Sequence, residues 1–414
     1  MDTQTIIIWS IYLFYILIFM FFYKKYKYFE QFKVLKIVSN KYFNLVLFGS
    51  LVLLFIAFLY FNSAMSDIPT HTRGALGITE KGRISGRFLF ALSVAVFSFF
   101  NTNIYILISV AIVLLSLAIL FKYIIAHYYS FRLIHSNNND ELMVKIGALI
   151  SVFVYPLIIY PVIPRVMSTG INVWHNGTTI FLMPFALLLF FESYKFLQGT
   201  TQSKTIWILI LLVFLNIAAK PSFFFVFCVV FPLFSFYEYR FKKQFFISLI
   251  PVIFGLLLIG SQYLFYYTYI PAKTGQQSTV EIKLLYYFYD LENIFYFIVR
   301  FISNYAFPLL FLVLYFNKIK FNKLLHYILS LLFVALMIKY SIYETGPRAG
   351  HGNFGWQVAV TGYIWFLISL QLFIRELLNK HNMQKKDYVL MFVIGLQIVS
   401  FIIYFILWSF FKMW

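Results

Sequence analysis

Cysteine is nearly missing from this chain: Cys228 is the single one in 414 residues. An internal disulfide and a thiolate metal site are thereby excluded. Charge is scarce as well. Asp, Glu, Lys and Arg make up 11% of the residues, against about 25% in an ordinary soluble domain. Carboxylates are the scarcest, with 14 Asp and Glu against 33 Lys and Arg. There is no Walker-type phosphate loop, no Gly-rich dinucleotide turn, no His-Glu-x-x-His zinc pair and no Gly-x-Ser-x-Gly elbow. Nucleotide-driven transport and serine hydrolysis lose support. No linker, low-complexity tail or soluble stretch divides the chain, so residues 1–414 are expected to form one integral membrane domain without a cytosolic nucleotide-sugar module.

What is abundant is apolar. Hydrophobic residues reach 62%, with 54 Phe and 32 Tyr, and the mean hydropathy is +0.85. A membrane helix needs about 20 apolar residues. About thirteen stretches approach that, centred near 5–23, 43–61, 88–100, 104–121, 144–163, 179–195, 205–218, 222–238, 245–267, 293–316, 324–341, 354–374 and 388–411. The fold class expected is all-α: a polytopic transmembrane bundle of about 11–13 helices. The 5–23 stretch lacks a cleavage site of small residues and reads as a retained helix. The net charge of +19 is explained by basic loops beside anionic lipid rather than by nucleic acid.

The loops fall into two classes. Plain basic loops occur at 24–36, 122–132, 240–243, 317–323 and 375–386, and the positive-inside rule makes them cytoplasmic. Mixed loops with Gly, Pro, His and Trp occur at 62–87, 164–178, 219–222, 268–292 and 342–356, which places them together on the outer side. One inconsistency remains in this scheme. The stretch 88–121 should cross once, yet it is long enough for two passes. Either one half is re-entrant or tilted, or the basic 122–140 loop breaks the rule.

Sorted by this topology, six of the fourteen carboxylates, Glu30, Asp140, Glu141, Glu238, Glu376 and Asp387, balance charge in or beside basic inner loops, with Glu192 near an inner helix end and Asp2 at the outer terminus. Asp67, Glu80, Glu281, Asp290, Glu292 and Glu344 remain on the outer side. Asp67 lies nearest the end of a transmembrane helix, in Ser66-Asp67-Ile68-Pro69-Thr70-His71. A carboxylate in a partly dry site can take a proton from an acceptor hydroxyl. The same Asp before Pro also reads as a helix N-cap, and the two readings weigh equally. His71 follows by one helical turn and could orient the base or contact a phosphate. An amphipathic anchor is the plainer reading. Residues 72–87, with Gly74, Gly77, Gly82 and Gly86 among scattered cations, predict surface-lying amphipathic helix in this first outer loop.

Three further stretches carry chemistry. Asn172-Val173-Trp174-His175-Asn176-Gly177-Thr178 offers Trp174 as a stacking face and His175 and Asn176 as partners for hydroxyls or phosphate. Lys220 stands between two apolar helices on the side where cations are unexpected, so a phosphate partner and snorkelling to headgroups are both open. The third runs from Tyr343 to Gln357. It holds four glycines with Glu344, Arg348, His351, Asn353 and Trp356. Arg suits paired phosphate oxygens, and glycines let backbone approach a ligand. The loop 268–292 reads as a lid over a groove or as an ordinary amphipathic segment.

An acidic residue just after a transmembrane helix, opening a first outer loop with amphipathic segments, resembles the GT-C glycosyltransferases. The stretches around Trp174-His175-Asn176 and Glu344 to Asn353 are similar to motifs of bacterial envelope-polysaccharide membrane proteins. The resemblance implies a bacterial inner-membrane enzyme working at its outer face. Its donor would be a polyprenyl (undecaprenyl) phosphate-linked sugar or glycan, and its acceptor another glycan. Asp67 would be the base, assisted by His71. Arg348, His351, Lys220 and His175 would hold the phosphate. Trp174, Asn176, Glu344, Asn353 and Trp356 would line the sugar site. Asp67 and His71 alone do not make a metal site, so no metal or other cofactor is assigned. The chain departs from the family by the extra helix at 5–23, a single Asp in place of a doublet, and no C-terminal soluble domain. An O-antigen or capsule repeat-unit polymerase therefore stays open. So does a lipid-linked oligosaccharide flippase, which would place ionisable groups at mid-bilayer; Lys339, Lys220 and Arg300 are the candidates.

Overall fold

The computed structural model describes residues 10–20, 41–63, 66–82, 88–134, 141–158, 171–199, 203–269, 279–345, 353–380 and 382–411. It is 85% helical, an all-α polytopic bundle. In order the helices are α1 (Ser10–Met20), α2 (Lys41–Ser63), α3 (Ile68–Lys81), α4 (Phe88–Phe97), α5 (Ile104–Ile134), α6 (Glu141–Phe153), α7 (Gly177–Leu197), α8 (Ser203–Ala219), α9 (Ser222–Tyr239), α10 (Lys243–Tyr269), α11 (Leu291–Ile319), α12 (Lys323–Ser341), α13 (Trp356–Leu378) and α14 (Lys385–Phe411). Among the described residues eight helices are long and apolar enough to cross a membrane, and shorter apolar helices accompany them. The chain is an integral membrane protein.

Leu, Ile, Val and Phe drive all of these helices except the amphipathic α3, because in lipid a helix is the way an open chain satisfies its own backbone. Their order in space follows from burial. In α13 every residue from Trp356 to Ile374 is buried, so this helix is the axis on which the others pack. Helices such as α10 and α11 instead leave Leu257, Ile253, Phe295 and Val313 exposed, a lipid-facing surface.

The inconsistency over 88–121 resolves through length. The 88–100 stretch is not a span: α4 has 10 residues, about 15 Å at 1.5 Å per residue, half the hydrocarbon thickness of about 30 Å. It is the ascending arm of a hairpin. Leu115 of α5 and Phe90 of α4 both flank Gly177 at the start of α7. Fourteen residues further down each helix, Tyr129 stacks on Phe191 at 4.3 Å. Thus α5 and α7 run side by side in one direction. The first turns of α5, with α4, project beyond the α7 N-terminus, and α5 then crosses once. Its far end carries Arg132.

That far end is where the basic loops gather. Lys323 pairs with Glu238 and Lys318 with Glu376. Asp387, fully buried, takes Lys380 at 2.9 Å and the Tyr315 hydroxyl. Tyr129 donates to Glu192. These four carboxylates are spent on charge balance.

One close approach fixes the axis. Pro308 lies inside α11 and cannot donate to the Asn304 carbonyl. The helix kinks at Tyr305 (φ −112°, ψ 25°). The freed carbonyls find other donors: Leu157 N–H bonds Ser303 O at 3.1 Å and Gln397 bonds Asn304 O at 3.1 Å. Tyr305 then reaches across to the Val358 carbonyl over Gly362. A Cβ on Gly362 would fall on the Tyr305 hydroxyl and within 2.6 Å of its ring. Gly362→Ala is expected to destabilise the protein by about 1–3 kcal/mol through overpacking, read as a lowered melting temperature in detergent.

A two-stranded antiparallel ribbon joins the other end. Strand β1 (Val280–Ile282) pairs with β2 (Ile342–Glu344), Glu281 opposite Tyr343. The stretch that reads as a lid at 268–292 is therefore tied, in its described part, to the base of the glycine-rich loop.

Candidate functional site

The linker between α2 and α3 delivers Asp67. As a possible helix cap it has a clear outcome: its carboxylate makes no capping hydrogen bond, and its backbone is in the αR region. Ser66 Oγ takes the Ile68 N–H instead, at 3.3 Å. The Asp67 carboxylate is thus left for another use. Its backbone N–H donates to the His175 carbonyl at 2.9 Å, and its Oδ2 accepts from Asn176 Nδ2 at 3.0 Å. Asp67 is thus latched by two bonds to residues 108 and 109 positions further along the chain.

Asn176 is the hub. It caps α7 by accepting the Thr179 N–H at 3.0 Å. The same oxygen also accepts from the Thr178 and Thr179 hydroxyls at 3.0 and 2.8 Å and from Lys220 Nζ at 3.1 Å. Four donors on the oxygen fix which way the amide points, so its NH2 must face Asp67. Lys220, 1% exposed, also donates to Thr179 Oγ1 at 2.6 Å and sits 4.1 Å from the centroid of the Trp356 ring. That arrangement is a desolvated cation–π contact. The His175 ring lies 5.7 Å from that of Trp356. His71 begins the second turn of α3, its N–H on the Asp67 carbonyl at 2.9 Å. Its Nδ1 is 3.7 Å from the place a Gly177 Cβ would take.

Six of the residues picked from sequence therefore converge: Asp67, His71, His175, Asn176, Lys220 and Trp356. Two corrections apply within this group. Asp67 is exposed rather than partly dry; what is buried is its support. Lys220 and Asn176 use their polar atoms on protein groups, so they position the carboxylate from behind instead of lining an open cleft.

Other picks lie elsewhere. Trp174 turns away from the cluster: it is 3% exposed and packs edge-on against Phe58 at 4.7 Å, with Phe55 and Phe401 beside it. It anchors the loop among these rings, away from the Asp67 carboxylate. Glu344 is on β2, opposite Val280. Asn353 opens the short 3-10 turn before α13. Arg348 and His351 lie outside the described residues. No group of three or more His, Cys, Asp or Glu gathers among the described residues.

Two contributors escape a reading of loops alone. Lys122, which the charge rule assigns to a cytoplasmic loop, is buried within α5. It donates to Asn172 Oδ1 and sits 4.0 Å from the Tyr363 ring centroid. Asn172 returns its NH2 to the carbonyls of Ser151 and Val154 at 2.9 and 2.7 Å. This clamp fixes the stretch that presents His175 and Asn176. Thr179 is the other, and its place three residues after an Asn-Gly at a helix start was the available signal.

His175 is held below its ordinary pKa. Burial comes first, Asp67 pulls the other way, and the nearby Lys220 charge lowers it further. The unfolded chain, with an ordinary value near 6.5, takes up this proton before the folded one does. Stability is therefore complete above that value and falls as pH drops through and below it. The melting temperature in detergent is expected to be lower at pH 5 than at pH 7.5, and His175→Gln is expected to shrink that difference.

No family model matches this chain, and no curated protein or solved structure matches it.

Proposed function

We propose that this protein is a membrane glycosyltransferase that moves a sugar or glycan from a polyprenyl phosphate carrier to a glycan acceptor. The observation that carries the reading is the state of Asp67. It is an exposed carboxylate at the end of a rigid helix, spared from capping, and aimed by an amide whose orientation a buried lysine enforces.

In this reading the acceptor hydroxyl gives its proton to Asp67 as its oxygen attacks the anomeric carbon. The bond from that carbon to the phosphate oxygen breaks, and polyprenyl phosphate leaves with the electron pair. The configuration inverts. The positive potential of Lys220, behind Asn176, stabilises the negative charge that develops on the leaving phosphate at this spot. Arg348, His351 and His175 are the proposed phosphate ligands. Trp356, Glu344 and Asn353 are proposed at the sugar, and Trp174 is left out. The bacterial inner membrane and its outer face are the proposed setting.

A flippase is the second reading, favoured by one observation: Lys122 is a buried cation inside a membrane-crossing helix, a position that often marks a transport path. The purified protein given polyprenyl phosphate-linked sugar and glycan acceptor separates the two. Release of polyprenyl phosphate supports transfer; movement of intact donor between leaflets without release refutes it. Product length then distinguishes a single-sugar transferase from a repeat-unit polymerase.

A further inference from the structure

The kink in α11 turns one stripe of that helix, Phe297, Arg300, Phe301 and Asn304, toward Lys339 and Tyr340 of α12, and these residues line a narrow pocket. The pocket holds two cations, and no Asp or Glu lines it. Among the described residues neither Arg300 nor Lys339 forms an ion pair, and the two are close enough for the Arg300 charge to act on Lys339. Arg300 Nε is buried without a hydrogen-bond partner, and so is Asn304 Oδ1. Asn304 itself is only 3% exposed. Two like charges with no carboxylate opposite, an unpartnered guanidinium Nε and an unpartnered amide oxygen are costly to bury, and the Tyr340 ring, 5.2 Å from Lys339 Nζ, offsets only part of that. The cost is offset if an anion with several oxygens enters: Arg supplies a planar fork, Lys a point charge, and the amide turned over adds NH2 donors.

We propose that this pocket binds a phosphate-type anion at a second site, separate from the Asp67 cluster. The two sites lie back to back across the first turn of α13. Trp356 faces Lys220 and His175, whereas Val358, two residues or about 200° further round the helix, lines the Arg300 pocket. Lys339 reaches to within 3.7 Å of the place a Gly355 Cβ would take, so occupancy bears directly on the start of α13. On the opposite stripe of α11, Phe295, Ile298 and Ile302 are exposed, a lipid-facing surface next to the pocket. The phosphate can therefore be borne by a lipid or be free.

The test uses the full chain in neutral maltoside detergent, with short-chain phosphatidylglycerol in one arm and inorganic pyrophosphate in the other, at matched ionic strength. Wild type is expected to melt at a higher temperature with at least one of them than with chloride. A rise with the lipid alone assigns a headgroup, a rise with pyrophosphate alone a free phosphate, and a rise with both a shared site. Lys339→Met and Arg300→Gln are expected to weaken that binding at least tenfold while melting no lower than wild type without anion, since each removes one of two like charges that face no carboxylate. Asp67→Asn is expected to bind as wild type does. No rise in wild type with either probe overturns the proposal, and that arm stands even if a variant fails to fold. Unweakened binding in both pocket variants overturns it as well.

Discussion

Asn176→Ala is expected to abolish turnover and to lower stability, and Asn176→Asp to separate the two effects. The alanine variant loses the α7 cap, which costs about 1 kcal/mol. It also strips Lys220 of one of its two described side-chain acceptors, a charged hydrogen bond of about 1.5–3 kcal/mol. The aspartate variant retains an oxygen for Thr179, Thr178 and Lys220. What it removes is the NH2 that meets Asp67 at 3.0 Å, replacing a donor with a like charge. Its melting temperature is expected near wild type while turnover falls at least 100-fold, since a catalytic group misplaced by about 1 Å costs that much. Wild-type activity in the aspartate variant would mean that Asn176 only caps a helix. Thermal melts and carrier-lipid release on the same preparations separate these outcomes.

Much of the site was legible because polar residues at the ends of apolar helices are conspicuous. Asp67, Lys220 and the His175-Asn176 pair each stand out against long apolar runs, so elimination reached them singly. Their pairing was not legible. Nothing in the spacing says that the amide after His175 returns to the carboxylate after Ser66; that contact depends on α5 and α7 running side by side. Trp174 illustrates a different limit. A tryptophan at a helix boundary reads as an interface residue, but the rings of Phe55, Phe58 and Phe401 enclose it.

The fold shows the same division. Apolar content established a membrane bundle, since lipid leaves few alternatives. Hydropathy did not separate α4 from a true span, because a half-length hairpin arm in apolar surroundings is as greasy as a crossing helix. Lys122 was misplaced for a related reason: counting cations puts it with the basic loop that follows, whereas Asn172 and Tyr363 hold it inside α5. Charge rules describe loops, and this lysine serves the site's scaffold.

Asp67→Asn carries the whole functional account. The substitution is nearly isosteric, the residue is exposed, and its backbone bond to His175 does not depend on the side chain. Folding and expression are therefore expected to be unchanged. Removing a general base costs about 10²–10⁴-fold in rate. The direct measurement is release of polyprenyl phosphate from a lipid-linked sugar donor by purified wild type and Asp67→Asn, at equal protein and with glycan acceptor present. The account predicts turnover by wild type and a loss of at least 100-fold in the variant with an unchanged melting temperature. Turnover by the variant within twofold of wild type would contradict it.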